Sequence, residues 1–201
     1  MMNVTTLIQE TINNIYALKL GSKPWFELET TMSALNARAD KWLHSLPECC
    51  QFQGMVGKIL SRERFSLALL FFSTKLFICQ PCIVQILRQP NKNTMPCEIE
   101  NPLVTVCIKA ATNMIHLLPD EPDLRWLYET CPWWYFLHYL MQALAVCLTA
   151  LFIGRRLVAD ESLSMKSTVD KAMHWLGTIS SVDASSQEAF RICTETVAKI
   201  R

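Results

Sequence analysis

Between Thr130 and Gly154 the chain carries no formal charge, in a run that opens on Cys131-Pro132-Trp133-Trp134 and stops at Arg155-Arg156. A helix of about twenty apolar residues is long enough to cross a bilayer, and aromatic residues at one end with basic residues at the other resemble interfacial anchors. The same run suits a central helix that other helices bury in a soluble, all-helical domain. Polar residues separate the two readings. At about 100° per residue His138, Gln142 and Thr149 share one side of the helix, with Ala145 between them. A lipid-facing span would have to turn that seam to another helix or to water, whereas a core helix needs only a few hydrogen-bond partners for it. The seam favours the core reading.

The rest of the chain is patterned for helices. Glycine occurs only five times, apolar residues recur at spacings of three and four, and no hairpin dipeptide or two-residue alternation is found. Leu28, Met32, Leu35, Ala39, Trp42 and Leu46 make one stripe that Pro47 ends. A second helix is expected from near Gly57, with Phe65, Leu69, Phe72, Leu76 and Cys79 on one face before Pro81. Residues 88–96, polar and proline-bearing, read as an internal loop too short to separate domains. A third helix follows Pro102, with Val106, Ala110, Asn113, Ile115 and Leu117 among its positions, and Pro119-Asp120-Glu121-Pro122 breaks it before the uncharged helix. Val169, Ala172, Met173, Leu176 and Ile179 form an amphipathic face. Ser185 and Glu188 have capping-box spacing ahead of a stripe of Phe190, Cys193, Val197 and Ile200. The expected fold is all-α, a single irregular multi-helix domain over residues 1–201 whose central, largely buried hydrophobic helix spans about 131–157.

Charge and cysteine usage narrow the function classes. Lys plus Arg (19) nearly balances Asp plus Glu (18), so no net field draws the chain to phosphate backbones or an anionic membrane. Nine cysteines, an odd number set mostly among apolar residues, read as buried free thiols in a reducing compartment. The N-terminus has neither the basic start nor the apolar stretch of a signal peptide, so the Asn3-Val4-Thr5 sequon carries no glycosylation and an intracellular location is expected.

Catalytic and metal motifs are sought without success. Cys79-Gln80-Pro81-Cys82 is the only CxxC, and no second pair or histidine pair follows at zinc spacing. His44, His116, His138 and His174 are scattered one per expected helix, with no HExxH pair and no glycine-flanked nucleophile. His138 and Gln142, one turn apart, are the candidate ligand-contacting pair or else a polar seam of the core. Gly54 and Gly57 make no phosphate-binding loop, and the six tryptophans lack the basic interleaving of a base-stacking surface. Arg155 and Arg156 complement the dipole at a helix end. No catalytic residue, cofactor site or metal site is assigned, and the chain is expected not to be an enzyme.

Several local patterns, taken in order, resemble one family. Leu35 through Trp42 to Leu46-Pro47 and the apolar helix from Arg64 to Pro81 are followed by Cys107-Ile108-Lys109-Ala110-Ala111. Then come Pro132-Trp133-Trp134 with His138, Tyr139, Gln142 and Ala143, Ala172-Met173-His174-Trp175-Leu176 with Val182-Asp183, and Ala189 to Cys193. This succession resembles the C-terminal part of the regulatory (middle homology) domain of fungal zinc binuclear cluster transcription factors. Gln80 stands where the family's helix carries an arginine before its proline.

The resemblance implies a nuclear, non-enzymatic regulator of a gene set, in which an N-terminal six-cysteine cluster holds two zinc ions and reads DNA while the helical region controls activity, with a small-molecule effector as one means. No such cluster occurs in this sequence, so DNA is expected to be reached only indirectly or through an N-terminal domain, and the chain resembles a C-terminal fragment or shortened member. Cytoplasmic residence is the alternative for such a truncated chain. Helices that pack on an absent part would leave apolar surface uncovered, from which protein partners or self-association are expected. The competing readings are a small integral membrane protein using Trp133 to Ile153, with Phe65 to Leu87 as a second span interrupted by Lys75 and Pro81, and a helical ligand-binding protein or enzyme with His138 and Gln142 in its pocket.

Overall fold

The stripe that begins at Leu28 folds as expected, into a helix from Trp25 to His44. Its fixed start is Pro24, Glu27 lies in the first turn and Lys41 in the last, each charge opposing the dipole end it sits beside. Leu28, Met32, Leu35, Ala39 and Trp42 are all buried. The computed structural model describes residues 4–16, 24–52, 60–88, 101–154 and 161–200, and among them there is helix and no strand. In chain order the helices are α1 (Val4–Thr11, continued by a π-helical turn, Ile12–Tyr16), α2 (Trp25–His44), α3 (Arg62–Arg88), α4 (Pro102–His116), α5 (Leu124–Thr130), α6 (Trp133–Gly154), α7 (Glu161–Ser180) and α8 (Ala184–Ile200). A 3₁₀ turn, Glu48–Cys50, follows α2.

α2 and α3 run antiparallel. Trp42 stacks near Phe71 at 5.9 Å between ring centroids, Lys75 Nζ reaches Asp40 at 2.6 Å, and Met32 meets Cys82 at 3.8 Å, so the register advances on one helix as it retreats on the other. α1 closes this pair from outside, where Arg38 of α2 grips both carboxylate oxygens of Glu10. The most extensive helix pair is α3 with α4. α4 starts cleanly because the Asn101 side chain accepts from the Leu103 amide at 2.9 Å and Pro102 occupies the first helical position, where a missing N–H costs nothing.

The expected stop at Pro81 is corrected: α3 runs through it to Arg88. An interior proline removes one ladder hydrogen bond and costs about 3 kcal/mol in an isolated helix. Here the carbonyl it leaves without a helical donor, that of Phe77, accepts from the Tyr16 hydroxyl at 2.8 Å, and the two rings stack at 4.4 Å. Cys79 and Cys82 therefore lie inside a helix rather than at its end, both buried. The helix begins at Arg62, later than the start expected near Gly57, with Leu60 and Ser61 still outside it; Gly57 itself and the loop beyond Arg88 lie outside the described residues.

α6 is central, packed by α3, α4, α7 and α8. That surrounding explains the missing charges, since an unpaired ion on most of its faces would be desolvated. Its polar side is nevertheless not turned into the core. His138 and Ala145 are exposed while Gln142 and Thr149 are half-buried, so the seam is a strip through which this helix meets solvent, between exposed Trp134 and Phe152. The helix begins at Trp133, two residues inside the expected start, and residues 155–157 lie outside the described ones.

α7 and α8 form a tight hairpin beside α6. Its cap differs from the one the spacing suggested. Asp183, not Ser185, caps α8, with its carboxylate accepting from the Ser186 amide at 2.8 Å and from the Ser186 hydroxyl at 3.1 Å. Ser185 is exposed, and Glu188 instead pairs with Arg191 at 2.6 Å. Aspartate at this place satisfies the free amide and adds a negative charge at the positive helix end, which a serine cannot do. Trp175 of α7 sits at the middle of the packing, fully buried against Trp126 and Phe136, with its indole N–H donating to the Pro119 carbonyl at 2.9 Å. α1 and α5, of eight and seven residues, are helices that periodicity did not single out, because so short a segment barely repeats its pattern.

Candidate functional site

The sequence directs attention to the outward strip of α6. Pro132 supplies the carbonyl that receives the Tyr135 and Phe136 amides, both at 3.1 Å, and so turns the chain into the helix. Trp133 is half-buried, whereas Trp134 is 62% exposed, its ring edge-on to Trp133 at 6.0 Å. One turn on, His138 is exposed with its ring tilted against Tyr139 at 5.3 Å. Gln142 is engaged differently. Its Oε1 accepts from the Ser73 hydroxyl of α3 at 2.7 Å.

The two candidate residues are thus neighbours along the helix with different surroundings. Gln142 ties α6 to α3 by a part-buried hydrogen bond of the kind worth about 1 kcal/mol, and His138 looks out to solvent beside Trp134. Ser73, which determines what Gln142 does, was not found by sequence reasoning. Sixty-nine positions separate the pair, and no local pattern links them. Thr149 satisfies its hydroxyl on its own helix, donating to the Ala145 carbonyl at 2.8 Å.

Behind the strip, on the inner side of α6, a cavity of about 10 Å³ lies between Leu69, Met114, Ile115, Phe136, Leu140 and Ala143. It has room for roughly one water-sized sphere and no polar wall to hold it. An effector larger than that would have to part the helices to enter this cavity.

The thiols are poor nucleophiles where they are buried. Burial pushes Cys79, Cys82 and Cys147 up to about 12 and Cys131 to about 11, and it raises Cys107 well above the usual thiol range. A thiol is reactive only as thiolate, so these behave as small apolar side chains. The zinc that the family resemblance implies does not fit this part of the chain. Cys79 and Cys82 are protonated and enclosed, and among the described residues no group of three or more His, Cys, Asp or Glu side chains is placed to hold a metal ion. Cys97 lies outside the described residues.

Two helices, Arg62–Arg88 and Trp133–Ile153, are long and apolar enough to cross a membrane, and the core helices of soluble proteins meet the same criterion. In the more apolar window of each, 50% and 44% of the residues are buried against other helices. Lys75, which interrupts the first, is mostly shielded and paired with Asp40.

No family model matches the chain, and no solved structure matches it. Over 235 aligned residues it is 25% identical to the transcription regulator galc of Aspergillus niger, a similarity that covers 99% of this chain and 28% of that relative. The chain therefore spans less than a third of the length of the curated relative it matches. Similarity that reaches from one end of the chain to the other supports a place for it among fungal transcription regulators.

Proposed function

We propose that this chain is a regulatory region of a fungal transcription regulator of the zinc binuclear cluster class, working in the nucleus without enzymatic activity of its own. The single observation that carries this reading is the similarity to a fungal transcription regulator along 99% of the chain. The succession of motifs from Leu35 to Cys193 supports the finer assignment to the middle homology domain. DNA contact then belongs to a zinc cluster in another segment or to a partner, and control of a gene set passes through protein contacts of the helical region.

Exposed apolar side chains support partner binding or self-association. Phe26 is 76% exposed, and Trp134, Val182 and Phe152 are each more than half exposed. Large accessible apolar groups of this kind favour association when they cluster. Trp134 and His138 together form the part of α6 best placed for a contact that does not disturb the core. A small-molecule effector would find a surface on this strip, whereas the cavity behind it is far too small to enclose one.

Fusion to a foreign DNA-binding domain tests the proposal. The chain should change reporter output in fungal nuclei, and Trp134→Ala or His138→Ala should alter that output at unchanged protein level. Silence of a nuclear, folded fusion would overturn the reading. The two membrane-length helices favour a second one, an integral membrane protein, and carbonate extraction of the native chain separates the two. Retention in the membrane pellet, with detergent release that excludes aggregation, would support the second reading.

A further inference from the structure

Two cysteines differ from all the others described. Cys49 is exposed and Cys50 half-exposed, while Cys79, Cys82, Cys107, Cys131, Cys147 and Cys193 are buried. Adjacent side chains are free to diverge, yet the Cys49 and Cys50 Sγ atoms lie 3.8 Å apart. The turn that carries them is braced on several sides. The Cys50 amide donates to the Pro47 carbonyl at 2.8 Å, Gln51 Nε2 to the Leu46 carbonyl at 3.2 Å, and Arg64 Nε of α3 to the Cys49 carbonyl at 2.6 Å.

The spacing is informative about what the pair can hold. A central atom bonded to two sulfurs at about 2.3 Å sets them roughly 3.8 Å apart at a tetrahedral angle and roughly 3.4 Å apart at the narrower angle of a pyramidal trivalent centre, so the pair has only a few tenths of an ångström to close. Closure to a disulfide is unfavourable for neighbours in sequence, because their Cα atoms lie about 3.8 Å apart across a trans peptide and a disulfide ordinarily spans about 4.4 to 6.8 Å. Zinc would ask for about four ligands, and among the described residues no set of three is available. A trivalent metalloid asks for two sulfurs and keeps its own third substituent. Two thiols held close to the bite distance gain the effective concentration of a chelate.

We propose that Cys49 and Cys50 form a chelating dithiol site for trivalent arsenicals. The step is balanced without an oxidant. An organoarsenic oxide condenses with both thiols, two As–S bonds replace the bond from arsenic to oxygen, both sulfhydryl protons leave with that oxygen as one water, and arsenic stays trivalent. The hydrogen bond with Cys49 raises the Cys50 thiol above its usual range, with the Arg64 charge beside the turn opposing, so both thiols enter the condensation protonated and leave their protons with the oxygen. This site stands apart from the regulatory reading and would remain if that reading failed.

The test uses the reduced full-length chain and phenylarsine oxide. One adduct per chain is expected by native mass spectrometry, mapped by tryptic digestion to the peptide that contains both cysteines. Ethanedithiol should strip it and excess glutathione should not, since a monothiol lacks the chelate advantage. Cys49→Ser and Cys50→Ser should each weaken binding by about 100-fold or more, and Cys97→Ser should leave it intact. An adduct mapped to another cysteine, one that both serine variants retain, or no adduct at all would overturn the proposal. Peptide mapping on the unaltered chain keeps it testable if a variant fails to fold.

Discussion

The Tyr16 hydroxyl donates at 2.8 Å to the Phe77 carbonyl, the α3 acceptor that Pro81 deprives of its helical donor. The bond joins residues 61 positions apart, and the ring of Tyr16 lies parallel to that of Phe77, only 9° between their planes. A defect inside one helix is thus repaired by a side chain from the π-helical turn after α1. Continuous helix beyond Pro81 matters because Cys82 and Ile83, which follow it, are core residues.

Tyr16→Phe is expected to cost about 1 kcal/mol, since it keeps the stack and leaves the carbonyl unpaired at a partly accessible place. Pro81→Ala returns the missing N–H to the helix. In that background Tyr16→Phe should become nearly neutral in urea unfolding. Equal cost in both backgrounds would show that the hydroxyl does not substitute for the lost ladder bond.

Asp183→Ala should remove the α8 cap and cost about 1 kcal/mol, with an upper bound near 2. Ser185→Ala, at an exposed position inside the helix, should change stability by less than about 0.5 kcal/mol. Thermal melts of the two variants rank the caps, and the reverse order would restore the capping box that sequence spacing suggests.

His116 at the end of α4 meets the Thr168 hydroxyl of α7 at 3.3 Å. Burial, and then the neighbouring Lys171 charge, lower its proton affinity below the ordinary histidine value of 6.5, with Asp120 opposing. The unfolded chain therefore takes up the proton first as pH falls. Stability should be unaffected by this group above about 6.5, fall as pH drops through that value, and level off below the folded-state value. His116→Gln should flatten the dependence between about pH 7 and 5, measured as midpoints of urea unfolding. Asp120, held below the carboxylate range by Lys171, acts only at lower pH.

Gln142→Ala breaks the bond to Ser73 and should cost about 1 kcal/mol. His138→Ala, one turn away and exposed, should lie within about 0.5 kcal/mol of the parent. Chemical denaturation distinguishes them. A large loss at His138 would mean that the residue supports the fold rather than a surface contact.

Much of the helical architecture is legible locally. The stripe from Leu28 to Trp42 is buried as its spacing requires, and Val169, Ala172, Leu176 and Ile179 of α7 are buried likewise. Among the described residues the cysteines also read as enclosed thiols, apart from the Cys49-Cys50 turn. At three places the structure departs from the local pattern, each for a physical reason. Proline chemistry argued for a stop at Pro81 without knowledge of Tyr16. The Ser185-Glu188 spacing competed with a better capping side chain two residues earlier. On α6 the polar positions read as a seam inside the core, whereas His138 is exposed, Gln142 bonds across to Ser73 and Thr149 bonds to its own helix.

Sequence alone determined that α6 must be shielded along most of its length, because 25 positions from Thr130 to Gly154 hold no charge and water offers such a surface nothing to bind. It also determined the register of each apolar face, since 3.6 residues per turn is a property of the backbone. Only the tertiary structure decided which partners meet: Tyr16 with Phe77, Ser73 with Gln142, and Trp175 with Pro119, at separations of 61, 69 and 56 residues. Helical periodicity extends over a few turns and carries no address for a distant hydrogen-bond partner. That address arises only when the helices pack together and bring each donor to an acceptor that burial leaves short of water.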